Sequence, residues 1–182
     1  MYTKDWEYIS GDSYGKVITN LENRIIVGSD VEIRITYVAP CSGVKAGACL
    51  RVNLPPGFHP AHTTDEELPG FVKNKSGQKL NVIVKTFITF IINIEEDLNP
   101  GEVIEVIYNP RGRYKKEVAT QVCYRDPVQF SVDFKEYSAT EKTNKITSEK
   151  DNYTDIKTNG KVLYKRLFSM DIEMVSRPAD RI

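Results

Sequence analysis

The feature that most constrains this chain is an apolar–polar repeat of period two. Val31, Ile33, Ile35 and Tyr37 take one side of a short run, while Glu32, Arg34 and Thr36 take the other. Successive side chains of an extended strand point to opposite faces, so this spacing predicts a half-buried antiparallel strand. Ala48, Leu50, Val52 and Leu54 repeat the pattern, with Arg51 and Asn53 outward. Leu80, Val82 and Val84 do the same, and Val128, Phe130, Val132 and Phe134 alternate with Gln129, Ser131 and Asp133. The apolar stretch from Phe87 to Ile94 reads as a more completely buried strand, and Met170, Ile172 and Met174 supply a last one. No run longer than a turn or two shows the i, i+3, i+4, i+7 spacing of a helix.

Breaks between these runs are set by turn residues. Pro55-Pro56-Gly57 stops the second strand, since proline cannot donate to a ladder. Pro100-Gly101 fits the centre of a type II turn, so residues 87–108 read as a hairpin with a slightly long connection. Asn159-Gly160 tolerates the positive φ of a type I′ turn and predicts a hairpin joining Tyr153–Thr158 to Lys161–Phe168. The sum is an all-β chain, an antiparallel β-sandwich of about nine or ten strands with little or no helix. Residues 135–152 are rich in Lys, Glu, Thr and Ser and read as a polar mobile loop within the sheet.

Size and charge bound the rest. A chain of 182 residues fits one domain, 1–182, and can form a core without disulfide or metal staples. Its 25 basic and 25 acidic residues cancel, which removes the bulk positive field that nucleic acid or an anionic membrane would favour. No apolar run approaches the ~20 residues that span a bilayer. The polar start, Met1 to Trp6, lacks a signal-peptide core. Cys41, Cys49 and Cys123 make an odd number, so one thiol is unpaired or pairs between chains. Cys41 and Cys49 either close a short loop or both stay reduced. These signals lean to a cytoplasmic compartment.

A series of phrases carries a resemblance. It runs through Val27-Gly28-Ser29, Gly43-Val44-Lys45-Ala46-Gly47, Leu54-Pro55-Pro56-Gly57-Phe58 and Leu68-Pro69-Gly70-Phe71-Val72. Leu98-Asn99-Pro100-Gly101-Glu102, Ile107-Tyr108-Asn109, Phe130-Ser131-Val132-Asp133 and Pro178-Ala179 complete it. Together these resemble the N-terminal β-sandwich module of large, mostly uncharacterised bacterial proteins. In those proteins it precedes further β domains and a metallohydrolase region of the polymerase-and-histidinol-phosphatase type. The resemblance implies an immunoglobulin-like accessory domain excised from a multidomain protein, with any metal-binding residues lying in the absent hydrolase region. This chain departs from the pattern at His59-Pro60-Ala61-His62, where the family has a proline–glutamine pair, and in its polar 135–152 loop.

The residues that invite chemistry each have a plain alternative. His59 and His62 are the two histidines, with Asp65, Glu66 and Glu67 close behind, and such side chains bind zinc-like metals. His-x-x-His works best on a helix, however, and Pro60 opposes one, so a surface loop is the favoured reading. Acid–base chemistry at this pair lacks a nucleophile nearby in sequence. Cys41-Ser42-Gly43 suggests a nucleophile at a turn, but a reactive thiol needs a cation or a helix N-terminus, and Lys45 alone offers that. Trp6, Tyr8 and Tyr14, with Tyr114, Tyr124 and Tyr137, raise carbohydrate stacking against ordinary rim packing. The basic stretch from Arg111 to Lys116 fits a solvated hairpin tip better than a nucleic-acid site. Asn74-Lys75-Ser76 and Asn152-Tyr153-Thr154 match the glycosylation pattern, which carries no meaning in a bacterial protein.

The expectation is therefore a non-catalytic accessory module without a cofactor or metal. Its partners are the neighbouring domains of its own parent chain, not nucleic acid or membrane. A carbohydrate- or surface-binding module is the first alternative, with His59, His62, Asp65, Glu66 and Trp6 as candidate binding residues. A metal-dependent enzyme built on His59 and His62 is the second.

Overall fold

A computed structural model describes residues 13–109, 126–136 and 164–175, together with the backbone of 6–8. Its chain alternates between two β-sheets. It begins in the larger sheet as β1 (Trp6–Tyr8), crosses to the smaller as β2 (Lys16–Thr19) and returns as β3 (Arg24–Ile26). β4 (Ile33–Val38) lies in the smaller sheet, β5 (Cys49–Asn53) in the larger and β6 (Val72–Asn74) in the smaller. The larger sheet then takes the hairpin β7 (Leu80–Thr86) and β8 (Thr89–Ile94), and the smaller takes β9 (Val103–Tyr108). β10 (Val128–Lys135) and β11 (Tyr164–Val175) complete the larger sheet. Its order is β1-β11-β10-β5-β8-β7, with β3 also on β11, and the smaller is β2-β4-β9-β6. β1 and β3 run parallel to β11, and every other pairing is antiparallel. No helix occurs among the described residues.

The period-two pattern has the physical outcome it predicts. Ile33, Ile35 and Tyr37 of β4 and Ile104, Val106 and Tyr108 of β9 are buried, facing Leu50 and Val52 of β5 and Phe90, Ile92 and Ile94 of β8. Phe130, Val132 and Phe134 extend this core along β10. Each such side chain contributes roughly 1.5–3 kcal/mol by leaving water. Tyr37 of one sheet stacks on Phe134 of the other, with ring centroids 5.9 Å apart and planes 13° from parallel.

Several expectations need correction. Residues 87–108 are not a hairpin: β8 pairs with β5 and β7, whereas β9 pairs with β4 and β6 in the opposite sheet. The Pro100-Gly101 turn itself is present, with Gly101 at φ 75° and the Glu102 N–H donating to Asn99 O at 3.0 Å. It closes a crossing between sheets. Nor is the stretch from Phe87 to Ile94 wholly buried. Phe87, 78% exposed, and Ile88 form the β7–β8 turn, and the strand after them is buried on alternate residues.

Phe168 and Met170 belong to one twelve-residue strand, β11, in place of the two runs expected. A register shift across from Val132/Asp133 lets it hold two phases of alternation. Lys135 ends β10 and is not loop. Arg51 and Asn53 are half-buried. The short strands β1, β2, β3 and β6 escaped the sequence pattern because three or four residues are too few to display a period. The Asn159-Gly160 hairpin and residues 137–152 of the polar loop lie outside the described residues.

Candidate functional site

The loop between β5 and β6 holds four of the five candidate binding residues. Two prolines and a type II turn, Pro55 to Phe58 with Gly57 at φ 92°, bring the chain out of β5. The His59 carbonyl then accepts the Tyr108 hydroxyl at 2.7 Å, which anchors the loop to β9. His62 Nε2 lies 3.0 Å from the Pro69 carbonyl. A carbonyl only accepts, so Nε2 carries the hydrogen in this contact. Nδ1 is buried with no hydrogen-bond partner. The imidazole also meets the Phe71 ring edge-on at 5.9 Å. Backbone bonds from His62 N to Gly70 O (3.1 Å) and from Val72 N to His62 O (2.8 Å) fold the loop back on itself.

The acidic residues of this loop serve local structure. Asp65 Oδ1 accepts the Glu67 N–H at 3.0 Å, and Glu66 pairs with Lys73 at 2.9 Å on the surface. No group of three His, Cys, Asp or Glu side chains able to hold a metal occurs among the described residues. The fifth candidate, Trp6, is remote from this loop in the sheet order: its backbone pairs with Tyr164 at the far side of the larger sheet.

The sequence reading missed the main polar constellation. On the outer face of the larger sheet, Asp133 stands opposite Arg51 of β5 on one side and Arg166 of β11 on the other. Arg51 donates from Nε (3.0 Å) and Nη2 (2.8 Å) to Asp133 Oδ2, and Arg166 Nε donates to Oδ1. Asn53 Nδ2 reaches Oδ2 at 3.2 Å and Ser131 Oγ at 3.1 Å, while Arg166 Nη1 reaches Gln129 at 3.2 Å. The Arg51 guanidinium lies 3.9 Å from the centre of the Tyr164 ring, a cation–π contact. Asp133 is wholly buried and Arg166 is 5% exposed. The sequence held one signal, opposite charges at outward positions of strands, but nothing in it said which strands adjoin.

The remaining candidates also resolve into framework. Cys41 is exposed in the turn closed by the Gly43 N–H on Pro40 O, Cys49 is buried in β5, and no disulfide joins the two. Lys45, the cation nearest in sequence to Cys41, is engaged by Asp97 at 2.7 Å. Asp97 also accepts the Ala46 N–H at 2.8 Å. That backbone bond and the Lys45 ammonium hold its carboxyl below the usual carboxylate range, and Asp97 in turn raises Lys45. Tyr37 and Tyr108 are buried, Tyr14 and Tyr164 half-buried, and burial pushes the first two phenols well above their ordinary range. A cleft of about 570 Å³ opens beside β3, between Asn20, Arg24, Asp30 and Glu32. Cys123, Tyr114, Tyr124, Tyr137, Asn152 and the basic stretch 111–116 lie outside the described residues.

No protein-family model matches this chain, and neither does any curated protein. Among solved structures it is similar to the crystal structure of the human F-spondin reeler domain (fragment 1), at 8% identity and a TM-score of 0.44, over 93% of this chain and 96% of that one.

Proposed function

We propose that the chain is a non-catalytic β-sandwich module that positions neighbouring domains of a larger bacterial protein. One observation supports this reading. The polar side chains with the most chemical potential are spent on holding strands and loops together. His62 is tied to the Pro69 carbonyl, Lys45 to Asp97, and Asp133 is enclosed between Arg51 and Arg166. A buried charge triad whose members come from adjacent strands fixes a sheet's register, the role for which such groups are best attested. The resemblance in the turn phrases supplies the larger protein as context.

The test is deletion of this module from its parent protein. The expected result is a lower melting temperature or loss of monodispersity in the remainder. A parent that stays monodisperse, equally stable and equally active without the module would overturn the reading.

A further inference from the structure

The first strands and the last one point the same way along the sandwich. β1 begins beside the start of β11, with Trp6 across from Tyr164, and the two run parallel. β2 enters at that same end. Lys16 stands across from Val38, whose neighbour Tyr37 stacks on Phe134, and Phe134 pairs with Lys165 near the start of β11. β3 again runs parallel to β11, with Arg24, Ile25 and Ile26 across from Glu173, Met174 and Val175. The chain therefore comes in at one end of the sandwich through β1, β2 and β3, and goes out along β11 at the other.

β3 and β11 are joined by more than their ladder register. The Glu173 N–H donates to Asn23 O and the Val27 N–H to Val175 O, each at 2.8 Å. Arg24 Nε lies 3.7 Å from the Glu173 carboxylate on the surface, while Ile25 and Met174 are both buried in the core. Backbone bonds of a sheet run across it, from strand to strand. When two parallel neighbours are drawn apart along their length, one by its start and the other by its finish, these bonds are loaded together. An antiparallel pair drawn in the same way would have its loaded ends side by side, and its ladder would open one bond at a time. Resistance to force follows the unfolding rate, so this topology adds something that equilibrium stability does not report.

We propose that the module bears tension along the polypeptide. A pull between the chain ahead of β1 and the chain beyond β11 is carried in shear by the β1–β11 and β3–β11 pairings. β4 to β10 lie between these pairings in the sequence, so their backbone carries no load until β3 and β11 part. That tension reaches the module from both sides rests on the function proposed above. The resistance is a property of this chain alone.

The test is single-molecule force spectroscopy on the full chain with Cys41→Ser and Cys123→Ser, drawn at one speed in two geometries. Handles at the N- and C-terminus load β3 and β11 in shear. Handles at Ser29→Cys and the C-terminus open the same two strands from one side, because residue 29 follows β3 in a turn closed by the Ser29 N–H on Ile26 O. The first geometry is expected to need several-fold more force than the second, and this comparison changes no residue of either strand. Val27→Pro removes the N–H that bonds Val175 and should lower the force of the first geometry. Three results would overturn the proposal. They are equal forces in the two geometries, a low-force event that frees the chain through Ile26 before the main rupture, and undiminished force in a Val27→Pro chain that still unfolds cooperatively in urea. Deletion from the parent protein tests the positioning role and the force ratio tests load-bearing, so the two readings fail separately.

Discussion

Asp133 is the residue on which most polar contacts of the larger sheet converge. It accepts from Arg51, Arg166 and Asn53 while fully removed from water. Desolvating three charges is costly, and the carboxylate between the guanidiniums offsets that cost. Asp133→Ala is expected to destabilise the fold by about 3–5 kcal/mol in a urea titration, because it leaves two guanidiniums without their shared carboxylate. Asn109 presents a different kind of constraint. It holds φ 53°, which only glycine and a few polar residues accept readily, at 6% exposure. Its amide donates to Val31 O at 2.9 Å and accepts the Gly70 N–H at 3.3 Å. Asn109→Ala loses both the conformation and the bonds, whereas Asn109→Gly loses the bonds alone. The alanine variant should therefore be less stable than the glycine one by about 1–2 kcal/mol on thermal or chemical unfolding.

Loops, more than strands, decide how these elements meet. The β5–β6 loop folds flat because Gly70, at φ 92°, sits where a Cβ would lie 2.2 Å from the Pro60 carbonyl oxygen. Backbone cannot yield as a flexible side chain does, so Gly70→Ala should displace the loop and cost on the order of 1–3 kcal/mol. Loss of the His62–Pro69 bond, read as a shift of the His62 ring resonances, would report the displacement directly. The β4–β5 loop is held to the β8–β9 crossing by Val44 and Leu98, which exchange backbone bonds of 2.9 and 2.8 Å, and by Asp97. The folded pKa of Asp97 lies below its unfolded value of ~3.9. Its contribution is thus present above that pH and lost as pH falls through the folded pKa. Asp97→Asn should remove that part of the acid dependence, seen as a flatter plot of urea midpoint against pH below about 4.

Across the whole molecule, alternation between sheets makes nearly every strand pair with one distant in sequence. β4 pairs with β9 and β5 with β10, while β7–β8 is the one directly joined hairpin among the described residues. Loop closure must precede such contacts, so folding should take milliseconds to seconds, as stopped-flow fluorescence would show. The interior also sets an alkaline limit. Tyr37 is raised by burial and by Glu136, and Tyr108 by burial. Their folded pKa values exceed the unfolded value of ~10, so full stability holds below that pH. Above it the unfolded chain releases protons first, and stability falls. Tyr108→Phe should lessen that decline while removing the bond to His59 O.

The fold class was legible because alternation is local: Ile33, Ile35 and Tyr37 are buried for the reason their spacing implies, whatever strand lies beside them. Turns were legible for a similar reason. Each glycine in the phrases from Gly28 to Gly101 holds a positive φ, a conformation set by adjacent residues. What the chain could not state locally was adjacency. Whether β8 and β9 form a hairpin or part company depends on which sheet offers each a better partner. Whether Asp133 faces water or two arginines depends on β5 and β11 arriving beside it. The candidate site suffered most, since His62 and Glu66 are neighbours in sequence yet serve Pro69 and Lys73 separately. Period-two alternation by itself determined that this protein is a two-layer β structure. Tertiary structure alone decided which polar groups meet, because a pairing energy exists only once two distant strands share an edge.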